Sequence, residues 1–130
     1  MKKAFSFLLL LALAYILTSW GGGGVITKPN SPTNLKAERK WDKSGDNLFQ
    51  KTELSWDPVD NAESYKVYRQ AEGETKQTFI GGVSSTTYTD TIPVNLYYLD
   101  INYIICAVIN GVEAGKSTIS TDAPPPPSPW

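Results

Sequence analysis

Histidine is missing altogether, cysteine and methionine occur once each, and neither sign of charge dominates: Lys+Arg 12 stand against Asp+Glu 13, a net charge of −1. Each shortage closes a class of function. Without histidine, the usual zinc sites and the Ser-His-Asp type of triad have no members. A single thiol, Cys106, cannot found a disulfide framework, so stability falls to packing. With Lys2 and Lys3 set aside, 10 basic residues against 13 acidic ones leave −3, the opposite of the basic footprint that nucleic acid requires. The apolar run at residues 5–17 falls short of the ~20 residues of a membrane span. What remains is 130 residues with 41% hydrophobic and 12% aromatic content, enough for one domain around one core.

The chain divides into four parts. Residues 1–21 read as a leader: Lys2 and Lys3, the apolar run, then small residues, the order of an export signal. Leu17-Thr18-Ser19-Trp20-Gly21 resembles a bacterial lipoprotein cleavage box in which Trp20 stands where the lipidated cysteine belongs. Tryptophan has no thiol to accept a lipid, so two fates stay open: a cut after Gly21 by ordinary signal peptidase, or retention of the leader as an anchor. Residues 22–30 form a tether, with glycines for flexibility and Pro29 for stiffness. Residues 31–122 carry the folded module, and residues 123–130 a proline-rich tail whose four consecutive prolines favour polyproline II.

Within the module, period-two alternation dominates. Thr52, Leu54 and Trp56 share one face of a strand while Lys51, Glu53 and Ser55 take the other, and after a turn at Pro58 the pattern resumes with Tyr65 and Val67 opposite Lys66 and Tyr68. The alternation at Thr33-Asn34-Leu35-Lys36-Ala37 predicts a first strand, which continues to Trp41, pauses at residues 42–47 around Gly45 and returns from Leu48 as a hairpin. A short strand is expected at residues 77–80, ended by Gly81-Gly82, and another at Thr86-Thr87-Tyr88-Thr89-Asp90-Thr91-Ile92, stopped by Pro93. Residues 101–109 form a long apolar run, turned by Asn110-Gly111 into a polar last strand.

Leu-Ser-Trp-x-Pro, a short acidic turn and Ser-Tyr-x-Val-Tyr-Arg, followed by Thr-Thr-Tyr-Thr-Asp-Thr and Tyr103-Ile104-Ile105-Cys106-Ala107-Val108, together resemble a fibronectin type III module of bacterial type. The resemblance implies an all-β fold: an immunoglobulin-like antiparallel β-sandwich of about seven strands. It implies a core of Leu54, Trp56, Tyr65, Val67, Tyr88, Tyr103 and Ile105, with Tyr103 as a corner tyrosine whose hydroxyl bonds to nearby backbone. It departs from the family most at Leu96-Tyr97-Tyr98-Leu99, where a Pro-Gly turn is expected.

Strand parity sends Ile104, Cys106 and Val108 to the outer face of their sheet, with Tyr68 beside them. Either flanking chain covers this apolar set, or it is an interaction surface. Trp41 falls on inward parity, whereas Phe49, Tyr97 and Tyr98 are less constrained. Chemistry is not encoded. Asp57 with Asp60, and Glu72 with Glu74, are carboxylate pairs in turns without an activating neighbour; the hydroxyls at residues 84–87 lack a base. Asp42, Asp46 and Asn47 around Gly45 lack the spacing of a calcium loop.

No cofactor, metal or catalytic residue is expected, and the chain reads as no enzyme. The expected function is that of a non-catalytic extracytoplasmic spacer, docking or interaction module at the cell envelope. Its partner is an unknown protein or cell-wall carbohydrate, not nucleic acid, and it meets the membrane only through the leader. A carbohydrate- or protein-binding adhesin and a piece of a multi-module secreted hydrolase are the alternatives.

Overall fold

The computed structural model describes residues 30–128. The readings of the leader, of Trp20 and of the glycine tether concern residues outside this range.

Seven strands follow one another: β1 (Lys36–Ser44), β2 (Asn47–Ser55), β3 (Ser64–Ala71), β4 (Thr78–Val83), β5 (Thr87–Thr91), β6 (Ile101–Ile109) and β7 (Val112–Thr121). One 3-10 turn, Val94–Leu96, lies between β5 and β6. The strands make two antiparallel sheets, of order β1-β2-β5 and β4-β3-β6-β7. Their alternating side chains meet between the sheets, as two half-buried layers must.

Turn chemistry fixes the registers. Gly45 takes φ 60 between β1 and β2, whose pairing runs from Lys36↔Ser55 to Ser44↔Asn47. Asn110 and Gly111, at φ 53 and 76, supply the two positive values that a tight two-residue hairpin demands. Trp56 stands just past β2 and donates its backbone N–H to Thr86 O at 3.1 Å. Its indole meets Tyr65 edge-on, with centroids 5.4 Å apart at 65°. Tyr65 keeps its own hydroxyl satisfied through the Val59 N–H at 2.9 Å. Leu54, Val67, Ile101 and Ile105 complete the centre of the core, all nearly or fully shielded.

Two strand limits differ from expectation, each for a local reason. The first strand begins at Lys36, because Asn34 adopts φ 54 and breaks the extended chain. Thr33 O there accepts the Asp57 N–H at 2.9 Å. Gly81-Gly82 does not end β4, which runs through both to Val83. Gly81 instead makes room: a Cβ there would lie 2.7 Å from the Tyr88 ring, whose hydroxyl donates to Ile80 O at 2.7 Å. Tyr88 is consequently half-buried at the rim of the core, packed against it rather than inside it.

The leading segment is woven into the seam between the sheets. Pro32 is buried, and Ser117 Oγ donates to its carbonyl at 2.5 Å. A Cβ on Gly115 would come within 2.6 Å of the Asn30 carbonyl carbon and oxygen, so β7 accepts the segment only because residue 115 has no side chain.

Candidate functional site

Polar side chains occupy two buried positions that apolar patterning leaves unmarked. The first joins the sheets. Arg69 on β3 donates from one guanidinium nitrogen to both carboxylate oxygens of Asp90 on β5, at 2.9 and 3.0 Å. The Tyr103 hydroxyl on β6 donates to Asp90 Oδ2 at 2.8 Å and meets Thr52 Oγ1 on β2 at 2.9 Å. Burial is the main cause that drives the Tyr103 hydroxyl well above the ordinary tyrosine range. Tyr103 thus bonds to side chains of the opposite sheet, not to nearby backbone as a corner tyrosine would. The acid is closed in, with Asp90 only 5% exposed, and every oxygen has a structural partner. Such a cluster holds sheets together and offers a substrate no approach.

The second cluster holds the 3-10 turn in place. Arg39 donates to Leu99 O at 2.7 Å, Leu96 O at 3.0 Å and Tyr97 O at 3.1 Å, and to Gln50 Oε1 at 3.0 Å. Gln50 Nε2 adds a bond to Tyr97 O at 2.9 Å. Desolvation is the leading influence on the guanidinium and lowers its pKa. Three carbonyls of this segment thus converge on one arginine, with Gln50 sharing the Tyr97 oxygen. The segment in which a Pro-Gly turn is expected is therefore built in another way, and Tyr97 is presented against Trp41, with ring centroids 5.1 Å apart at 78°.

Of the two readings of the outer face of the four-stranded sheet, cover or interaction surface, the second requires a correction. Ile104 is 2% exposed, Cys106 4% and Val108 6%, so these three do not form an open apolar strip. Pairing sets Tyr68 and Thr118 on either side of Ile104, and Lys66 and Lys116 on either side of Cys106. Tyr68 is tethered, its hydroxyl donating to Glu113 Oε1 at 2.8 Å. Burial, followed by the Glu113 bond, pushes its pKa up to about 12. The Cys106 thiol is likewise raised to about 12, first by burial, and at neutral pH it is a protonated, poor nucleophile.

What stays accessible is Phe79, 54% exposed at the edge strand β4, stacked edge-on to Tyr68 at 5.5 Å and 63°. Phe79 carried no signal in the sequence, and the structure sets it opposite Tyr68. Tyr98 is exposed on the turn, while Phe49 is half-buried and Tyr97 is engaged with Trp41. At the first hairpin, Asp42 is committed to Lys51 at 2.6 Å and to the Lys43 N–H at 2.8 Å. Among the described residues no group of three His, Cys, Asp or Glu side chains is gathered for a metal ion.

No family model matches the chain. It is similar to an amylopullulanase from Thermoanaerobacter thermohydrosulfuricus, 35% identical over 102 residues, which are 77% of this chain and 6% of that enzyme. In structure it is similar to a mutant named FN3tt at 18% identity and a TM-score of 0.51, covering 75% of this chain and 98% of that one, a likeness of fold. It is also similar to the crystal structure of an Fn3-like protein from Clostridium thermocellum, with a TM-score of 0.56 over 78% of this chain and 100% of the other. At 30% identity across the whole of that neighbour, the chain belongs to the fibronectin type III-like family.

Proposed function

We propose that this chain is a non-catalytic module of an extracytoplasmic, carbohydrate-acting system, serving there as a spacer or docking unit. One observation carries the reading. The stretch shared with the amylopullulanase is 6% of that enzyme, a length that accommodates a single sandwich and leaves the bulk of the enzyme elsewhere. The sealed polar cluster agrees with it, since Asp90 and Tyr103 hold the two sheets and face no cleft. The leader-like residues at 1–21 support an address outside the cytoplasm.

The adhesin reading has one feature in its favour, the accessible Phe79 beside Tyr68. Sedimentation with insoluble cell-wall polysaccharide and with pullulan separates the two. A spacer stays in the supernatant and releases no reducing sugar. Retention that Phe79→Ala and Tyr68→Ala abolish would replace the spacer by a carbohydrate-binding surface.

The address has its own test in a bacterial host. Mass spectrometry should find no lipid on the chain as it stands, and a diacylglyceryl group on Trp20→Cys; an unlipidated Trp20→Cys product would remove the lipoprotein-like reading of the leader.

A further inference from the structure

Four consecutive prolines follow Ala123, and they have no donor for their carbonyls within their own segment. Proline has no N–H, fixes φ near −65° and holds its predecessor extended, so residues 124–127 expose a row of acceptors without internal partners. A donor-only group set beside such a row is its complement, and the indole N–H is one.

That donor is present. Trp41 Nε1 on β1 donates to Pro125 O at 2.8 Å, across 84 residues of sequence. The neighbouring wall is Tyr97, set edge-on to the indole at 5.1 Å and 78°. Its position does not depend on the tail, because the Tyr97 carbonyl is gripped from inside by Arg39 and Gln50. A second bond fixes where the tail starts, from the Ala123 N–H to Asp100 Oδ1 at 3.0 Å. Two aromatic side chains at a steep angle with an indole N–H aimed at a proline carbonyl are the elements by which aromatic grooves take polyproline II segments, whose stiffness keeps the ordering cost low.

We propose that Trp41 and Tyr97 form a binding site for polyproline II peptide, and that its occupant is this chain's own segment 124–127, bound in cis. The site fixes the direction in which the chain leaves β7. It stands whether or not the module serves as a spacer. Because the segment follows Thr121 by a few residues, its effective concentration at the site is in the millimolar range or above, and a free peptide has to compete with that.

The test uses the full-length chain and the NMR signal of the Trp41 indole N–H, assigned through Trp41→Phe. Replacing the four prolines by Pro124→Gly, Pro125→Ser, Pro126→Gly and Pro127→Ser leaves every strand intact. It should shift that signal and speed its exchange with water at least several-fold. Adding the blocked peptide Ala-Pro-Pro-Pro-Pro-Ser to the replaced chain should return the signal toward its original position, with no matching response in the other indoles. The unaltered chain should respond far less at the same peptide concentration.

An indole signal identical in the two chains, or a replaced chain indifferent to millimolar peptide, would overturn the site. Protection that weakens on dilution would overturn the cis assignment and make the occupant the tail of a second copy.

Discussion

Two groups of charged side chains show how differently the same chemistry behaves in two places. On the hairpin of β1 and β2, Lys51 bridges Asp42 at 2.6 Å and Glu53 at 3.3 Å, and Lys40 reaches Glu38 and Glu53 at 3.5 Å. Between the sheets, among the described residues, there is one pair, Arg69 with Asp90 at 2.9 Å, whose side chains are 12% and 6% exposed. The hairpin has more pairs and less at stake. Water and salt stand ready to replace each of its partners. The interior pair has no substitute if either member is lost, and that, rather than the number of contacts, sets what a substitution costs.

The sharpest way to break the comparison is Asp90→Ala, which strands the Arg69 charge and removes the acceptor for Tyr103. Chemical denaturation should show a loss of about 3–5 kcal/mol. The double change Arg69→Met with Asp90→Leu should cost clearly less than Asp90→Ala, because no uncompensated charge is left. A double variant as unstable as the single one would mean that the pair contributes through packing alone.

Next in size is Tyr103→Phe, which keeps the ring and deletes a hydroxyl bonded to both Asp90 and Thr52. A loss of about 1–3 kcal/mol is expected in the same measurement, since two buried polar groups lose a partner.

A third, smaller effect belongs to the outer face. Tyr68 and Cys106 both have folded pKa values raised to about 12. The unfolded chain releases these protons at ordinary values while the folded chain retains them, so the folded state binds more protons in that interval. Stability should therefore be complete below about pH 9 and fall as pH rises toward about 12. Cys106→Val should flatten part of the fall. A denaturation midpoint that stays constant up to strong alkali would count against the covered state of Cys106.

Smallest of all is Asp42→Asn on the hairpin. The Lys51 bond, followed by the Lys43 N–H, lowers the pKa of Asp42, and the Lys51 bond lowers that of Glu53. Depressed carboxylates stabilise above the ordinary carboxylate range and lose that contribution as pH falls through their folded values. At neutral pH the Asp42→Asn midpoint should lie close to that of the unaltered chain and merge with it in high salt. A large, salt-resistant loss would put the hairpin pairs on the same footing as Arg69 and Asp90.

The sequence speaks clearly where apolar residues alternate. Leu54 and Trp56, then Tyr65 and Val67, are spaced by two and lie inward, and the apolar run at residues 101–109 coincides with β6. Gln50, Thr52 and Asp90 are buried although they are polar, and what makes their burial tolerable is a partner far along the chain. Tyr103 and Thr52 are 51 positions apart, and Arg39 reaches a carbonyl 60 positions away. No local pattern records such pairings. On β6 parity leaves two readings of Ile104 and Cys106 open, covered or a contact surface, because it records direction and not cover. That cover comes from β3 and β7, beginning with a tyrosine tied to Glu113. Tyr88 errs the other way, since the space for its ring depends on the missing side chain of Gly81.

The close approach of Asn30 to Gly115 bears on how the module is moved between proteins. A protein engineer who cuts at the first and last strands would keep residues 36–121 and discard the buried Pro32, the carbonyl that Ser117 holds and the carbonyl that Trp41 holds. The graft would carry all seven strands with an open seam on one side and an unfilled aromatic notch on the other. The portable cassette runs from Asn30 through Pro127, and within it residue 115 tolerates only glycine.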